Sequence, residues 1–267
     1  MKETFSRDGV DLAYRDVGAG LPVIFQHGLG GDEAQVADVF PDLPVTRRVT
    51  LECRGQGGSC YGPVERLSVA TFAEDVEALA DALSIGSAVV GGISMGAALA
   101  LRLAVHKPAR VRALVLARPA WVAQAAPENM KPYAVVGDLL MRHSPQDARR
   151  LFDDSAVAGE LARLAPDNLA SLQGFFNRPD SVRFGRLLVA IAGDGPGVSD
   201  ADIRAIAVPT LVIGHDHDLV HRLDDAQTLA GLIPSARLCT IAAKSQDRAA
   251  YRREFRACLS EFLEALA

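Results

Sequence analysis

The sequence predicts an α/β fold with a mostly parallel central sheet flanked by helices, and three observations carry that expectation. Short apolar runs alternate with segments of helical periodicity. The runs are apolar at consecutive positions, the pattern of strands buried on both faces rather than on one. A serine between two glycines joins one such run to the helical pattern that follows it. Strands and helices in alternation build a doubly wound sheet.

The chain opens with a hairpin pattern. Glu3 to Ser6 and Val10 to Tyr14 flank Arg7-Asp8-Gly9, and an Asp-Gly pair suits a tight turn. Six buried strands are then expected at Val23–Phe25, Val49–Leu51, Ala88–Val90, Ala113–Leu116, Leu211–Ile213 and Leu238–Ile241. Between them, Phe72, Val76, Leu79 and Leu83 share one helical face, with Thr71 and Glu74 as a candidate capping box. A final helix repeats the pattern with Tyr251, Phe255, Leu259, Phe262 and Leu266. From about Ala120 to Ile206 no strand pattern occurs, and helical pieces follow Pro127, Ser144-Pro145 and Pro179-Asp180. The expected organisation is a core of residues 1–119 and 207–267 with a helical insertion, 120–206, lying over the C-terminal edge of the sheet.

Composition narrows the class of partner. The net charge is −5 and the basic residues are scattered, so the basic stripe that nucleic acid requires is missing. No apolar run is long enough to span a bilayer, and the first six residues lack the apolar core of a secretory leader. Cys53, Cys60, Cys239 and Cys258 have no metal-ligand spacing, and are expected to be reduced thiols in a cytoplasmic protein. His215 and His217 alternate with Asp216 and Asp218, but loops carry such residues without binding metal, so neither metal nor cofactor is expected. The expected partner is a small molecule.

Gly92-Ile93-Ser94-Met95-Gly96 matches G-x-S-x-G. Its setting, after the run Ala88–Val90 and before the helical Ala97–Leu101, is that of a nucleophile elbow. A serine there must hold a strained turn so that its hydroxyl projects above the sheet, and flanking glycines let strand and helix pack closely. The helix N-terminus behind Ser94 favours negative charge developing nearby.

With these residues the sequence resembles the α/β-hydrolase family over nearly its whole length. The supporting segments are Gln26-His27-Gly28-Leu29-Gly30-Gly31, Arg54-Gly55-Gln56-Gly57-Gly58-Ser59 with Glu52 where the family commonly has Asp, Gly92 to Gly96, and Pro209 to Gly214 with Asp218. The resemblance implies an α/β-hydrolase fold with a helical cap, Ser94 as nucleophile, and the backbone N–H groups of Leu29 and Met95 as oxyanion donors. Two fixed donors in a dry site stabilise a tetrahedral oxyanion, each by about 3 kcal/mol. His27 is expected to shape its loop rather than to react.

The same resemblance puts the triad acid on Asp218, with Asp216 as second candidate. It also exposes a departure. The family's histidine follows the last strand, where this chain has Lys244-Ser245-Gln246-Asp247 with Gln246 or Ser245 at the expected position, and no histidine occurs after His221. A glutamine amide accepts no proton near neutral pH and cannot activate a serine. If the protein hydrolyses a substrate, His221 is the expected base, ahead of His217, because three residues of chain can bring its ring beside Asp218. Lys244 could serve only with a lowered pKa.

The leading functional expectation is hydrolysis of a small carboxylic ester, thioester or amide. Two alternatives stand beside it: a binding protein that keeps the pocket without turnover, and non-hydrolytic, lyase-type chemistry on the same fold. Trp121, Met130, Tyr133, Leu139, Leu140, Met141, Phe175, Phe176 and Leu187 exceed what packing of the insertion needs: about two-thirds are expected in the core and the remainder in a largely apolar pocket suited to an apolar or acyl-bearing ligand.

Overall fold

The computed structural model describes residues 2–267. Eight strands form one sheet: β1 (Glu3–Arg7), β2 (Val10–Gly18), β3 (Leu21–Gln26), β4 (Thr46–Leu51), β5 (Ala88–Ile93), β6 (Val111–Ala117), β7 (Thr210–Gly214) and β8 (Ala236–Thr240). Their order across the sheet is β1-β2-β4-β3-β5-β6-β7-β8. The β1–β2 and β2–β4 pairs are antiparallel and every other pair is parallel. Asp8 and Gly9, with φ of 51° and 74°, close the first hairpin as the Asp-Gly pair predicts.

The parallel strands need covering on both faces, and the helices supply it. In chain order these are α1 (Glu33–Val39), α2 (Val69–Ala82), α3 (Met95–His106), α4 (Lys131–Arg142), α5 (Pro145–Asp153), α6 (Ala156–Leu164), α7 (Pro166–Gly174), α8 (Ser181–Ala192), α9 (Asp200–Arg204), α10 (Leu223–Leu232) and α11 (Arg248–Glu264). One core cluster joins Val90, Leu114 and Leu116 to α2, α3 and the helices that follow β6. The other sets Val89, Val115 and Ile213 against α1 and α11 through Val36, Tyr251, Phe255 and Leu259. Alternate residues of the same strands thus serve opposite faces, which is why those strands read as unbroken apolar runs.

Three expectations need correction. The helix α2 begins at Val69 and is capped by Ser68, whose hydroxyl accepts from Thr71 N–H at 3.1 Å, so Thr71 lies within the helix and forms no capping box with Glu74. The strand β8 lies at the sheet edge with most of its residues half-buried or exposed, not buried on both faces. Cys239 of β8 and Cys258 of α11 form a disulfide, whereas four reduced thiols were expected. The two lie nineteen positions apart, and only the return of α11 to this edge brings them together. The bond removes the support that reduced thiols gave to a cytoplasmic setting. Among the described residues, no helix is long and apolar enough to cross a membrane.

Candidate active site

Ser94 occupies the turn between β5 and α3 with φ 56° and ψ −111°, a conformation that an L-residue holds only when its surroundings impose it. Neighbouring glycines allow the turn. A Cβ on Gly92 would lie 2.7 Å from the Gln26 carbonyl oxygen, and one on Gly96 would collide with the same group. The Ser94 N–H donates to Ala117 O of β6 at 3.0 Å, anchoring the turn to the adjacent strand.

The loop after β3 faces this turn. Gln35 Oε1 accepts from Gly28 N–H at 2.7 Å, and Gln56 Oε1 accepts from Gly30 N–H at 2.6 Å, which fixes the backbone on either side of Leu29. Among the described residues, the N–H groups of Leu29 and Met95 have no acceptor. His27 is fully buried. Its Nε2 accepts from Cys53 N–H at 3.0 Å, so Nδ1 carries the proton and donates to Gly28 O at 2.8 Å. Burial lowers the His27 pKa and keeps the ring neutral in this bridging role. Glu52 accepts from the N–H groups of Gly58 and Glu33 and from Lys2, and these partners outweigh burial to hold its carboxyl below the usual range.

The acid loop follows β7. Asp218 Oδ1 accepts from Val220 N–H at 3.1 Å and His221 N–H at 2.9 Å, bending the loop so that the His221 ring returns to the carboxylate. His221 Nδ1 lies 3.1 Å from Asp218 Oδ1 and 3.0 Å from Oδ2. On the other side of the carboxylate stands Arg118, the residue after β6, whose Nη2 donates to Asp218 Oδ2 at 2.6 Å and lies 3.1 Å from His221 Nδ1. An ionised carboxylate is the stronger attraction for an imidazole N–H, so Nδ1 carries the proton and Nε2 keeps its lone pair.

Electrostatics keep the carboxylate ionised. Burial alone would raise the Asp218 pKa, but His221 and Arg118 outweigh it and hold the carboxyl well below its usual range. Burial lowers the His221 pKa; Asp218 opposes and Arg118 adds to the lowering. His215, which packs edge-on against Tyr251 with ring centroids 5.6 Å apart, is pushed down to about 4, mainly by burial and then by Arg118.

Ser94, His221 and Arg118 line one cavity of about 220 Å³ together with Gly28, Leu29, Gln35, Tyr133, Asn168, Phe175 and Lys244. His221 Nε2 is buried with no hydrogen-bond partner, so no hydrogen bond joins it to Ser94. Asp216 and His217 are exposed and absent from the cavity wall. Gln246 is exposed in the turn after β8, and neither it nor Ser245 reaches the cavity. Lys244 does, and its ammonium is ion-paired with Asp167 of α7 at 3.0 Å, which leaves it no lone pair for proton abstraction.

The wall is more polar than expected. Of the nine apolar residues of which a minority was expected there, Tyr133 and Phe175 contribute. Trp121, Met130, Leu140, Phe176 and Leu187 are core residues, and Leu139 packs against that core, because the helices after β6 bury their apolar faces on one another. Burial, with Asp218 nearby, raises the Tyr133 hydroxyl to about 12, so it stays a neutral donor.

Three residues that bear on the site belong to no local sequence pattern. Arg118 is a lone basic residue directly after a buried strand. Asn168 Oδ1 accepts from Leu219 N–H at 3.0 Å and Val220 N–H at 3.3 Å, and Asn129 Nδ2 donates to Val220 O at 2.5 Å and Ala120 O at 2.8 Å. Both asparagines are buried, and together they clamp the acid loop from the helical side.

A family model of the alpha/beta hydrolase fold matches residues 22–244. The chain belongs to that family. It is 33% identical over 246 residues to a 2-hydroxymuconate semialdehyde hydrolase of Pseudomonas sp. (strain CF600), covering 86% of this chain and 82% of that one. A 2-hydroxy-6-oxo-2,4-heptadienoate hydrolase of Pseudomonas putida (strain F1) is 28% identical over 247 residues, covering 86% and 84%. The enol-lactonase of Burkholderia xenovorans LB400 superposes with a TM-score of 0.75 at 25% identity, over 98% of this chain and 100% of that one. These family members are hydrolases, which supports a hydrolase on this fold.

Proposed function

We propose that the protein is a serine hydrolase of a small carboxylic ester, thioester or amide, with its base on the acid loop instead of after the last strand. The observation that carries this is the shared cavity: Ser94 and His221 line it together, and Asp218 holds the far nitrogen of the same imidazole. In this mechanism His221 Nε2 takes the Ser94 proton as Oγ attacks the carbonyl carbon, and Asp218 stabilises the resulting imidazolium. The Leu29 and Met95 N–H groups receive the oxyanion at the positive end of α3. His221 then returns the proton to the leaving group, and a water repeats the cycle to release the acid. The helical segment 120–206 serves as the cap, contributing Tyr133, Asn168 and Phe175 to the wall.

The test is labelling by a fluorophosphonate, which reacts with an activated serine. Ser94→Ala abolishes labelling if the mechanism holds, and His221→Ala slows it strongly. Labelling that survives Ser94→Ala places the reactive group elsewhere. A second reading, ligand binding without turnover, draws on the unpartnered His221 Nε2. It predicts a wild-type protein that binds esters and resists the probe.

A further inference from the structure

A second cavity, of about 370 Å³, adjoins the first, and Gln35, Ile93, Arg118 and Lys244 line both. Its other wall residues are Ala34, Asp38, Val39, Arg248 and Tyr251. Three of its nine lining residues are cations and one is an acid, Asp38, which is bound by Arg252. Lys244 and Arg118 are each shared with a carboxylate, Asp167 and Asp218. Arg248, the first residue of α11, has no carboxylate partner among the described residues. Arg118 is nine-tenths buried, its guanidinium lies over the Tyr251 ring at 5.8 Å, and among the described residues its Nε has no hydrogen-bond partner. A buried guanidinium N–H without an acceptor is costly, and an anion within reach would satisfy it.

Resting on the hydrolase reading above, we infer that this second cavity receives a carboxylate carried by the substrate, so that the preferred substrate is the monoester, or the equivalent thioester or amide, of a short dicarboxylic acid. The susceptible carbonyl lies at Ser94, and the free carboxylate is held across the shared wall by Arg248 and Lys244 with Arg118 behind them. Guanidinium and carboxylate pair through parallel hydrogen bonds, which gives Arg248 a geometric as well as a charge preference for this group. The departure after β8 acquires a purpose here: beside Ser245 and Gln246, where the family resemblance leads one to expect a histidine, the turn presents Lys244 to both cavities. No covalent step differs from the hydrolysis already described.

The experiment compares kcat/KM for mono-4-nitrophenyl glutarate with that for 4-nitrophenyl pentanoate, a neutral ester of the same acyl length, by release of 4-nitrophenol. The wild type prefers the glutarate ester, Arg248→Gln lowers the ratio of the two values by about tenfold, and Arg248→Lys restores part of it. Glutarate binding to Ser94→Ala, followed by calorimetry, provides a readout that needs no turnover, and Arg248→Gln weakens it by a similar factor. A ratio at or below one in the wild type, or one that Arg248→Gln leaves unchanged, overturns the carboxylate site while the hydrolase reading stands. Glutarate binding that depends on Arg248 in a protein that cleaves neither ester supports the site and overturns the hydrolase reading.

Discussion

His221 Nδ1 lies 3.0 Å from Asp218 Oδ2, and the two residues belong to one loop, three positions apart. The bend that joins them is made by Asp218 itself, whose Oδ1 accepts the backbone N–H groups of Val220 and His221. One side chain therefore sets both the path of the loop and the tautomer of the ring. The proposed move of the base from one loop to another needs a backbone that turns it inward, and the neighbouring carboxylate supplies a turn of that kind.

The first prediction concerns the pH dependence of activity. Burial, with Arg118, lowers the His221 pKa below the ordinary 6.5 despite Asp218. A general base works only when unprotonated, so kcat/KM falls on acidification with a midpoint below pH 6.5. A pH–rate profile measures it, and a midpoint above 6.5 contradicts the environment assigned to the ring.

Arg118→Met tests the other partner of the carboxylate. Removing the cation raises the His221 pKa, so the acid limb of the profile moves to higher pH. The buried carboxylate also loses a charged partner, and the fold is destabilised by roughly 3 kcal/mol. Chemical denaturation together with the pH profile checks both effects. An unmoved acid limb would show that Arg118 does not act on His221.

His215 links stability to pH. Its folded pKa of about 4 lies below its ordinary 6.5, so between these values the unfolded chain binds more protons than the folded one. The contribution of this residue is complete above about pH 6.5 and is lost as pH falls towards 4, up to ~3 kcal/mol in all. His215→Phe keeps an aromatic ring against Tyr251 and removes the titration. The fall in Tm between pH 6.5 and 4 becomes shallower in that variant, as calorimetry at several pH values would record.

Asn168→Ala removes the acceptor for the Leu219 and Val220 N–H groups and unclamps the acid loop from α7. The half-buried Leu219 N–H loses its partner while Val220 N–H keeps Asp218 Oδ1, a cost of about 1 kcal/mol. On the proposed mechanism turnover of an ester falls with it, because the loop that carries the Asp218–His221 pair is no longer held. A variant with lowered Tm and wild-type turnover would separate the clamp from the site.

The strand runs, the glycine-flanked serine and the hairpin turn were legible because each is a local pattern. Buried parallel strands are apolar at every position, and the turn at Ser94 needs small residues on both sides. The Asp218–His221 contact could be anticipated because it spans three residues. What escaped were contacts made across the fold. Arg118 meets Asp218 a hundred positions away, and Asn129 reaches Val220 across ninety-one. Cys239 pairs with Cys258 because α11 returns to the sheet edge. Which few of the insertion's apolar residues reach the pocket could not be read, since periodicity shows which face is apolar and not what it packs against. The same limit explains the unforeseen cations of the cavity wall.

The central claim is that His221 replaces the family histidine as the base for Ser94, and steady-state hydrolysis of 4-nitrophenyl acetate by His221→Gln and Ser94→Ala tests it most directly. Both variants are expected to lose kcat/KM by about a thousandfold or more, since a serine without its base and a base without its serine fail together. Wild-type turnover in His221→Gln with Ser94→Ala inactive would contradict the claim, and would assign the proton to another group on the cavity wall.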